Sequence, residues 1–408
     1  INSGNILRCC NNKIKTAYQG KASNNILKFE SEFADLIGTG EVVSFASARM
    51  GFFALMKIFG IKSGDEIILC GSTCSVMANA ILRIGATPIY CDIDIDTLGS
   101  CATSIKENIS NKTKIVVAQH SFGIPCNIED ISKICLDNKI LLIEDCALAL
   151  GSKYKNKNVG TFGDAAIFST DHSKPINTLI GGFVYSNSSN VIKKVKDIQK
   201  KSDNLPAKKK KALYIQFTIE RLFAKPKTYG VLSFINSIYG FLYKHFGVTS
   251  PFLDDDADTF FINENYSYPS KIPEFIALIG LYEINRWKEV SNKRKESLNY
   301  LKIILENSLL RSYLPKAYYD NNRNIIPLRL AFSHPDAKKI EPALKSVVDF
   351  DLIWFKEPII NSKVPLNKFL YTKGTCPIAE KIGPNMINLP LAEQKIIDFM
   401  INKITNEV

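Results

Sequence analysis

The chain has 408 residues, of which 46% are hydrophobic, 23% charged and 10% aromatic. This composition excludes disordered, collagen-like and coiled-coil proteins, and the length indicates two or more domains with a sizeable core. The formal net charge of +12 favours anionic partners, but it does not choose among phosphorylated small molecules, nucleic acid and acidic lipids.

The ten cysteines and four histidines are scattered along the chain. They form no CxxC pair and no HxxxH or HExxH spacing, so we expect neither a disulfide framework nor a structural metal. Cysteines in apolar surroundings fit a reducing, cytoplasmic location. The first ten residues lack the apolar stretch of a signal peptide.

Between residues 41 and 185, short apolar runs alternate with amphipathic stretches, a rhythm that predicts βαβ units around a mostly parallel sheet. The predicted strands are Ile67–Cys70, Ile89–Ile93, Ile115–Ala118, Ile140–Ile143 and Ala165–Ser169. The predicted helices are Gly51–Phe59, Val76–Ile84 and Ile128–Leu136. No GxGxxG or P-loop motif accompanies them, which argues against a dinucleotide or P-loop site.

The segment from about 186 to 265 has a different character and is interpreted as an insertion. Its features, in order, are the run Lys208–Lys211, a predicted helix Ala212–Phe223, the aromatic stretch Tyr229–Val248 and the acidic run Asp254–Asp258. The lysine run is typical of a solvated face, and no base-stacking motif accompanies it, so we expect no nucleic-acid partner.

The C-terminal third predicts a smaller α+β domain. Its predicted elements are helices Ile272–Trp287 and Ser291–Asn307, strands Ile326–Leu330 and Asp351–Phe355, and a tail helix Ala392–Asn406. We therefore divide the chain into a large domain of residues 1–287, which includes the insertion, and a small domain of residues 288–408.

Four pieces of the first domain suggest a common site. Asp145 follows a predicted strand, at the carboxyl end where ligands bind in open α/β sheets. Lys174 lies in a turn past the next strand and can form a Schiff base with a carbonyl compound. Small residues of Ser44–Gly51 open a helix whose free amides can hold a phosphate, and Gly181–Gly182 form a turn after the lysine.

Ordered blocks of the chain resemble the DegT/DnrJ/EryC1/StrS family of sugar aminotransferases. The resemblance covers nearly all of the chain outside the insertion. The matching blocks are FESEFADLIGTG (29–40), GIKSGDEIIL (60–69), GATPIYCDIDIDTL (85–98), EDCALALGSKY (144–154), VGTFGDAAIFS (159–169) and NLPL (388–391).

The resemblance implies an α/β enzyme of fold type I that uses pyridoxal 5'-phosphate (PLP), with a seven-stranded, mostly parallel sheet flanked by helices. Lys174 matches the lysine that binds the cofactor covalently and then moves a proton, and Asp145 matches the carboxylate that keeps the pyridine nitrogen protonated. The resemblance places the remaining cofactor contacts at Ser47, Ala48, Arg49, Cys74 and Ser169.

The chain departs from the family pattern around the cofactor ring. Ala48 and Arg49 replace Gly-Thr, Cys74 replaces an aromatic residue that stacks on the ring, Leu148 replaces a glutamine that bonds the ring hydroxyl, and Ile180 replaces an acidic residue. Two histidines, His120 and His172, are candidates for the lost contacts and for substrate binding, or else are satisfied core histidines.

The implied reaction moves an amino group from L-glutamate to a keto-sugar, typically a nucleotide-linked one, in surface-polysaccharide or glycan biosynthesis. Lys174 favours transamination, because the dehydrating branch of the family carries histidine at that position. The alternatives are another PLP reaction on a sugar and a weakly catalytic, regulatory PLP-binding homologue.

Two interactions with larger partners are also expected. The resemblance implies a homodimer with shared active sites, in which the Tyr266–Glu274 segment with Lys271 reaches across, although Pro269 and Pro273 also suit a local turn. In the insertion, two helical apolar faces, Ile215/Ile219/Leu222/Phe223 and Val231/Ile235/Ile238/Leu242, lie close to Lys208–Lys211, Lys225 and Lys227. These faces pack on the core or a partner subunit, or they lie at the inner face of an anionic membrane.

Overall fold

A computed structural model of the chain describes residues 11–21, 24–223, 268–345, 354–360 and 364–407. Several predictions lie outside these residues. They concern the chain's first ten residues, Lys225 and Lys227, the aromatic stretch with its apolar face, the acidic run and the first three residues of the predicted strand at 351–355.

Short strands and longer helices alternate through most of the described chain. The strands are β1 Glu41–Phe45, β2 Glu66–Cys70, β3 Thr87–Cys91, β4 Thr113–Gln119, β5 Leu141–Asp145, β6 Lys153–Tyr154, β7 Lys157–Asn158, β8 Ala165–Ser169, β9 Gly182–Ser186, β10 Asp203–Asn204, β11 Ser270–Lys271, β12 Arg323–Asn324, β13 Leu330–Ser333 and β14 Met386–Leu389. The α-helices are Asn11–Tyr18, Asn25–Asp35, Ala48–Ile58, Ser75–Arg83, Ala102–Glu107, Ile128–Asn138, Ser189–Lys201, Ala207–Phe223, Glu274–Ile284, Trp287–Leu305, Ala337–Leu344, Pro377–Ile382 and Gln394–Thr405.

The main sheet has seven strands in the order β1-β9-β8-β5-β4-β2-β3. Its strands run parallel except β9, which is antiparallel to both of its neighbours. Helices pack against the sheet, among them Asn25–Asp35 on β1 and Ala48–Ile58 on β9. The predicted α/β architecture, with a large and mostly parallel sheet flanked by helices, is confirmed.

The sheet strands lie where short branched runs predict them, with small differences at their ends. Strand β3 starts at Thr87, two residues earlier than predicted, and includes Pro88. A proline is tolerated there because β3 is an edge strand, so the missing N–H can face away from the single neighbour β2. Strands β1 and β9 are absent from the predicted strands.

Aromatic side chains fill the core under one side of the sheet. Phe33 stacks on Phe183 with ring centroids 4.0 Å apart, and Phe29 meets Phe183 edge-on at 4.9 Å. All three rings are fully buried. This cluster joins the helix Asn25–Asp35 to strand β9, whose first residue follows the lysine turn, and it therefore supports the strand that leads away from the candidate site.

The C-terminal residues build a second buried cluster. The helix Trp287–Leu305 begins in the main core with Trp287 and ends in the second cluster with Leu301 and Leu305. Strands β13 and β14 pair there in antiparallel register. The division of the chain at residues 287 and 288 stays a prediction. The predicted strands at 326–330 and 351–355 are wrong over their described parts, since β13 starts at Leu330 and Trp354–Phe355 form a turn.

The described part of the insertion is mainly the helix Ala207–Phe223. It packs through Leu213 and Phe217, which are buried, and through Tyr214, whose ring stacks on Tyr18 at 4.1 Å. The apolar face predicted for this helix turns away from the core. Of its residues, Ile215 and Leu222 are 39% and 56% exposed. In this chain, that face is therefore not part of the core.

Candidate active site

The predicted site residues meet at one edge of the main sheet. Asp145 ends β5, Ser169 ends β8, and Ser47 follows β1 by two residues. In parallel strands these carboxyl ends share one edge, and β9 begins at the same edge because Gly182 pairs with both Phe45 and Ser169. The turn between β8 and β9 carries Lys174 to this edge.

Asp145 is a buried carboxylate with little hydrogen-bond support. It is 7% exposed, and its Oδ1 accepts one bond from the Ala147 backbone N–H at 3.0 Å. Burial raises its pKa, while the Ala147 N–H and the positive charge of Lys174 act in the opposite direction. A cationic ligand that donates a hydrogen bond to this carboxylate would favour its ionised form.

Lys174 brings a positive charge into the environment that surrounds the carboxylate of Asp145. Its pKa is lowered by burial and by Arg329, against the raising effects of Asp171, Cys74 and Asp145. The Nζ atom lies 4.4 Å from the centroid of the Trp354 ring. A lysine with a lowered pKa has a larger fraction of neutral amine, the form that attacks a carbonyl carbon.

Ser47 and the helix Ala48–Ile58 form a cradle beside the lysine turn. The Ser47 hydroxyl is buried and has no hydrogen-bond partner within the described parts of the chain. The first amides of a helix lack intrahelical acceptors and can bind an anion. A Cβ on Gly182 would lie 2.1 Å from the Ala48 backbone nitrogen, so only glycine permits this approach. Ser169, at the end of β8, completes the cradle's edge.

Arg49 and Cys74 begin or precede helices at the same edge of the sheet. Arg49 is the second residue of Ala48–Ile58, is half-buried, and accepts a hydrogen bond at its carbonyl oxygen from the Tyr268 hydroxyl at 3.2 Å. Cys74 precedes the helix Ser75–Arg83 and forms a backbone bridge with Ile360. The bridge between Cys74 and Ile360 joins this edge of the sheet to a C-terminal segment.

His120 is held in the core by both ring nitrogens. The Cys126 backbone N–H donates to its Nδ1 at 3.1 Å, so Nε2 carries the proton and donates to Glu144 at 3.0 Å. Its side chain is fully buried. Of the two interpretations offered for this residue, the geometry favours the satisfied core histidine over a substrate contact.

His120, Glu144 and Cys146 are the one group of metal-ligating side chains gathered within the described residues. Their donor atoms are already engaged, since Glu144 also accepts bonds from the backbone N–H groups of Gly160, Phe162 and Gly163. Burial raises the pKa of the Cys146 thiol to about 12. The group therefore serves as a hydrogen-bonded support under Asp145.

His172 points at the insertion. Its Nε2 bonds Glu220 at 3.0 Å, and Gln216 donates to the same carboxylate oxygen at 2.8 Å. Glu220 and Gln216 are not among the predicted site residues, although polar residues four apart on the buried face of a helix are a recognisable signal. This pair ties the lysine turn to the helix Ala207–Phe223.

Lys271 lies in β11, which pairs with β10 in the insertion. Its Nζ donates to the Lys200 carbonyl oxygen of the same chain at 2.9 Å and is exposed. This bond directs the Lys271 ammonium group toward the end of the helix Ser189–Lys201. Its predicted role in a partner's site stays a prediction.

The comparisons with known proteins agree with this geometry. The DegT/DnrJ/EryC1/StrS aminotransferase family matches residues 9–218 and 242–404. GDP-perosamine synthase from Escherichia coli O157:H7 is 37% identical over 177 residues, which are 43% of this chain and 49% of that protein. GDP-perosamine synthase from Vibrio cholerae is 34% identical over 191 residues, 47% of this chain and 52% of that protein. The chain thus spans about half the length of the curated relatives it matches.

Solved structures extend the similarity over the whole fold. An aminotransferase from Psychrobacter cryohalolentis superposes with a TM-score of 0.72 at 17% identity, covering 98% of this chain and 97% of that chain. The E. coli GDP-4-keto-6-deoxy-D-mannose-3-dehydratase with bound hydrated PLP superposes with a TM-score of 0.69 at 20% identity, covering 96% and 95%. At these identities the likeness shows the fold.

Proposed function

Because the chain belongs to the DegT/DnrJ/EryC1/StrS aminotransferase family, we propose that it is a PLP-dependent aminotransferase that aminates a nucleotide-linked keto-sugar. One observation carries the proposal: a lysine with a lowered pKa and a buried carboxylate with a raised pKa lie together at one sheet edge. Burial disfavours the charged form of each group. A cofactor with an aldehyde and a basic ring nitrogen could bond to the lysine amine and pair with the carboxylate.

The described residues fit this cofactor. Asp145 would hold the ring nitrogen, Lys174 would bind the aldehyde carbon, and the unpartnered Ser47 hydroxyl with the helix amides would hold the phosphate. When bound, the cofactor supplies an electron sink for breaking a C–H bond next to nitrogen. Asp145 keeps the ring protonated by its negative charge, and the Lys174 amine, once released, carries the proton between two carbon atoms.

We propose L-glutamate as the amino donor. The amino acid becomes a 2-oxo acid while the sugar ketone becomes an amine, so the two-electron oxidation of one substrate balances the reduction of the other. The two GDP-perosamine synthases among the relatives support a nucleotide-linked acceptor.

Absorbance and isotope transfer test the proposal. Adding PLP should produce the visible band of the lysine-bound cofactor, adding L-glutamate should shift it, and 15N-glutamate should label one member of a panel of nucleotide-linked keto-sugars. A band that glutamate leaves unchanged would favour the weakly catalytic homologue. Loss of a sugar hydroxyl without label transfer would favour a different PLP reaction.

We also propose a homodimer with shared active sites. It is supported by the position of half-buried Lys271 next to Ser270, whose carbonyl oxygen accepts a hydrogen bond from the Ala46 N–H at 2.9 Å beside the candidate site. Mixing a Lys174→Ala variant with a Lys271→Ala variant separates the two residues onto different subunits. If each site uses both subunits, random mixed dimers should recover about a quarter of the activity of the wild type. No recovery, together with an active monomer by light scattering, would contradict the shared site.

A lysine–apolar stripe on the insertion helix supports contact with an anionic membrane surface. The stripe consists of Lys208, Lys211, Ile215, Ile219 and Leu222, whose spacing places them on one helix face. The two lysines are exposed, and each contributes about 1 kcal/mol near an anionic surface. Within the described residues, no helix is long and apolar enough to cross a membrane.

Co-sedimentation with phosphatidylserine-containing vesicles at low and high salt tests this contact. Ile215→Ser with Leu222→Ser should abolish binding, whereas Leu309→Ser, which changes an apolar side chain 79% exposed elsewhere, should not. Wild-type protein that stays in solution at low salt would end the membrane proposal. A loss of self-association in the double variant would assign the stripe to a second copy of the chain.

A further inference from the structure

The edge of the sheet that carries Asp145 and Lys174 has Cys74 where the resemblance to the family implies an aromatic side chain. In the structure, the backbone around Cys74 is instead joined to residues 359–360. Ser75 N–H donates to the Ile360 carbonyl oxygen at 3.0 Å, and Ile360 N–H donates to Thr73 at 2.9 Å. The C-terminal segment 354–360 is thereby fixed beside the position that the missing aromatic would occupy.

The first residue of that segment, Trp354, is held independently. Its backbone N–H donates to Asn388 Oδ1 at 2.9 Å, and Asn388 is 1% exposed in strand β14. The next residue, Phe355, packs edge-on against Phe122 with ring centroids 5.5 Å apart. These contacts fix the backbone that carries the indole.

The Trp354 indole contacts two cationic side chains. The Lys174 Nζ lies 4.4 Å from its ring centroid, and the Arg329 guanidinium carbon lies 5.5 Å away. Both distances are within the range in which a cation is attracted to an aromatic face. The Trp354 side chain is half-buried.

We propose that Trp354 is the aromatic residue that packs against the bound cofactor at its reactive end, in place of the aromatic lost at Cys74. The inference rests on the proposed function, because Lys174 Nζ is the atom that would bind the cofactor's aldehyde carbon. A ring centred 4.4 Å from that nitrogen lies in contact range of the new bond. Trp354 is thus a positioning residue that also shields the lysine from water.

Cofactor titration of three variants tests the role. Trp354→Ala should weaken PLP binding about tenfold, the size of effect expected for one aromatic contact with its burial, and Trp354→Phe should restore most of it. Phe399→Ala, which deletes a 41% exposed aromatic on the tail helix, should bind PLP like the wild type. Circular dichroism of the apo-proteins checks that all variants fold.

Two further readouts separate positioning from a merely structural role. Burial is the largest influence on the Lys174 pKa, so the hydration gained in Trp354→Ala should outweigh the lost attraction to the ring while Asp171, Cys74, Asp145 and Arg329 remain around the amine. The pH midpoint of cofactor capture should therefore rise in this variant. The chain has two tryptophans, so emission present in the wild type and absent in Trp354→Phe reports Trp354. Bound PLP should reduce the quenching of this emission by acrylamide.

The outcomes distinguish failure of the proposed function from failure of the role proposed for Trp354. A wild-type protein that binds no PLP overturns the proposed function and this inference with it. PLP binding by the wild type with equal affinity and equal pH midpoint in Trp354→Ala overturns the inference alone. Emission that acrylamide quenches equally with and without PLP does the same.

Discussion

At Lys174, the charge of the side chain and its burial are in conflict, and the lowered pKa is the result. Removing the amine should remove the covalent link while leaving the phosphate cradle of Ser47 intact. We expect Lys174→Ala to lose turnover and the visible absorbance band, and to keep weak, reversible binding of PLP. Spectroscopy and an amine-transfer assay measure both effects, and full activity in the variant would contradict the assignment.

At Asp145, burial shifts the pKa upward, in the opposite direction to the shift at Lys174. The carboxyl group acts on the cofactor only when it is ionised. Asp145→Asn keeps the shape and removes the charge that holds the cofactor nitrogen protonated. Turnover should therefore fall by at least about a hundredfold, a typical loss for a catalytic electrostatic contact, while cofactor occupancy falls less. Single-turnover rates of both half-reactions test this; wild-type rates would rule it out.

At the scale of elements, Gly280 sets the distance between the helices Asn25–Asp35 and Glu274–Ile284. A Cβ there would lie 2.1 Å from Phe29 Cζ, and Phe29 is fully buried against Phe33 and Phe183. Gly280→Ala should lower the free energy of unfolding by about 1–3 kcal/mol through overpacking, despite the better helix propensity of alanine.

Urea denaturation of Gly280→Ala measures this loss. A second substitution, Phe29→Leu, makes room for the new methyl group, so the double variant should lose less than the sum of the two single changes. A single variant more stable than the wild type would show that propensity outweighs packing at this position.

Elements with strong local signals are predictable from the sequence. The run Ala165–Ser169 is predicted with its observed bounds, because branched and aromatic residues between Gly163–Asp164 and a polar turn allow little else. The strand predicted at 351–355 fails at Trp354 and Phe355, whose apolar side chains contact the site and Phe122 from a turn. An apolar run indicates burial, but not which backbone conformation achieves it.

For the whole molecule, Glu283 makes stability depend on pH. It is 4% exposed, and burial, opposed by Arg286, raises its pKa from 4.5 to about 7. Between these two values the folded chain binds more protons than the unfolded chain, so stability falls as pH rises through this window. The whole difference amounts to about 3 kcal/mol at most.

Glu283→Gln removes this titration. Its unfolding free energy should change less between pH 5 and pH 8 than that of the wild type, and exposed Glu107→Gln should behave like the wild type. Denaturant titrations at several pH values give the comparison. Equal pH dependence in wild type and Glu283→Gln would mean that Glu283 is ionised in the folded chain over the whole range.

The sequence by itself determined the alternation of strands and helices, the family, and the placement of Asp145 and Lys174 after consecutive sheet strands. Those features depend on local patterns and on short spacings along the chain. Only the tertiary structure brought Trp354 to Lys174, Glu220 to His172, and both nitrogens of His120 to core partners. Trp354 and Lys174 are far apart in the chain, and their contact depends on packing between distant segments, which no local periodicity records.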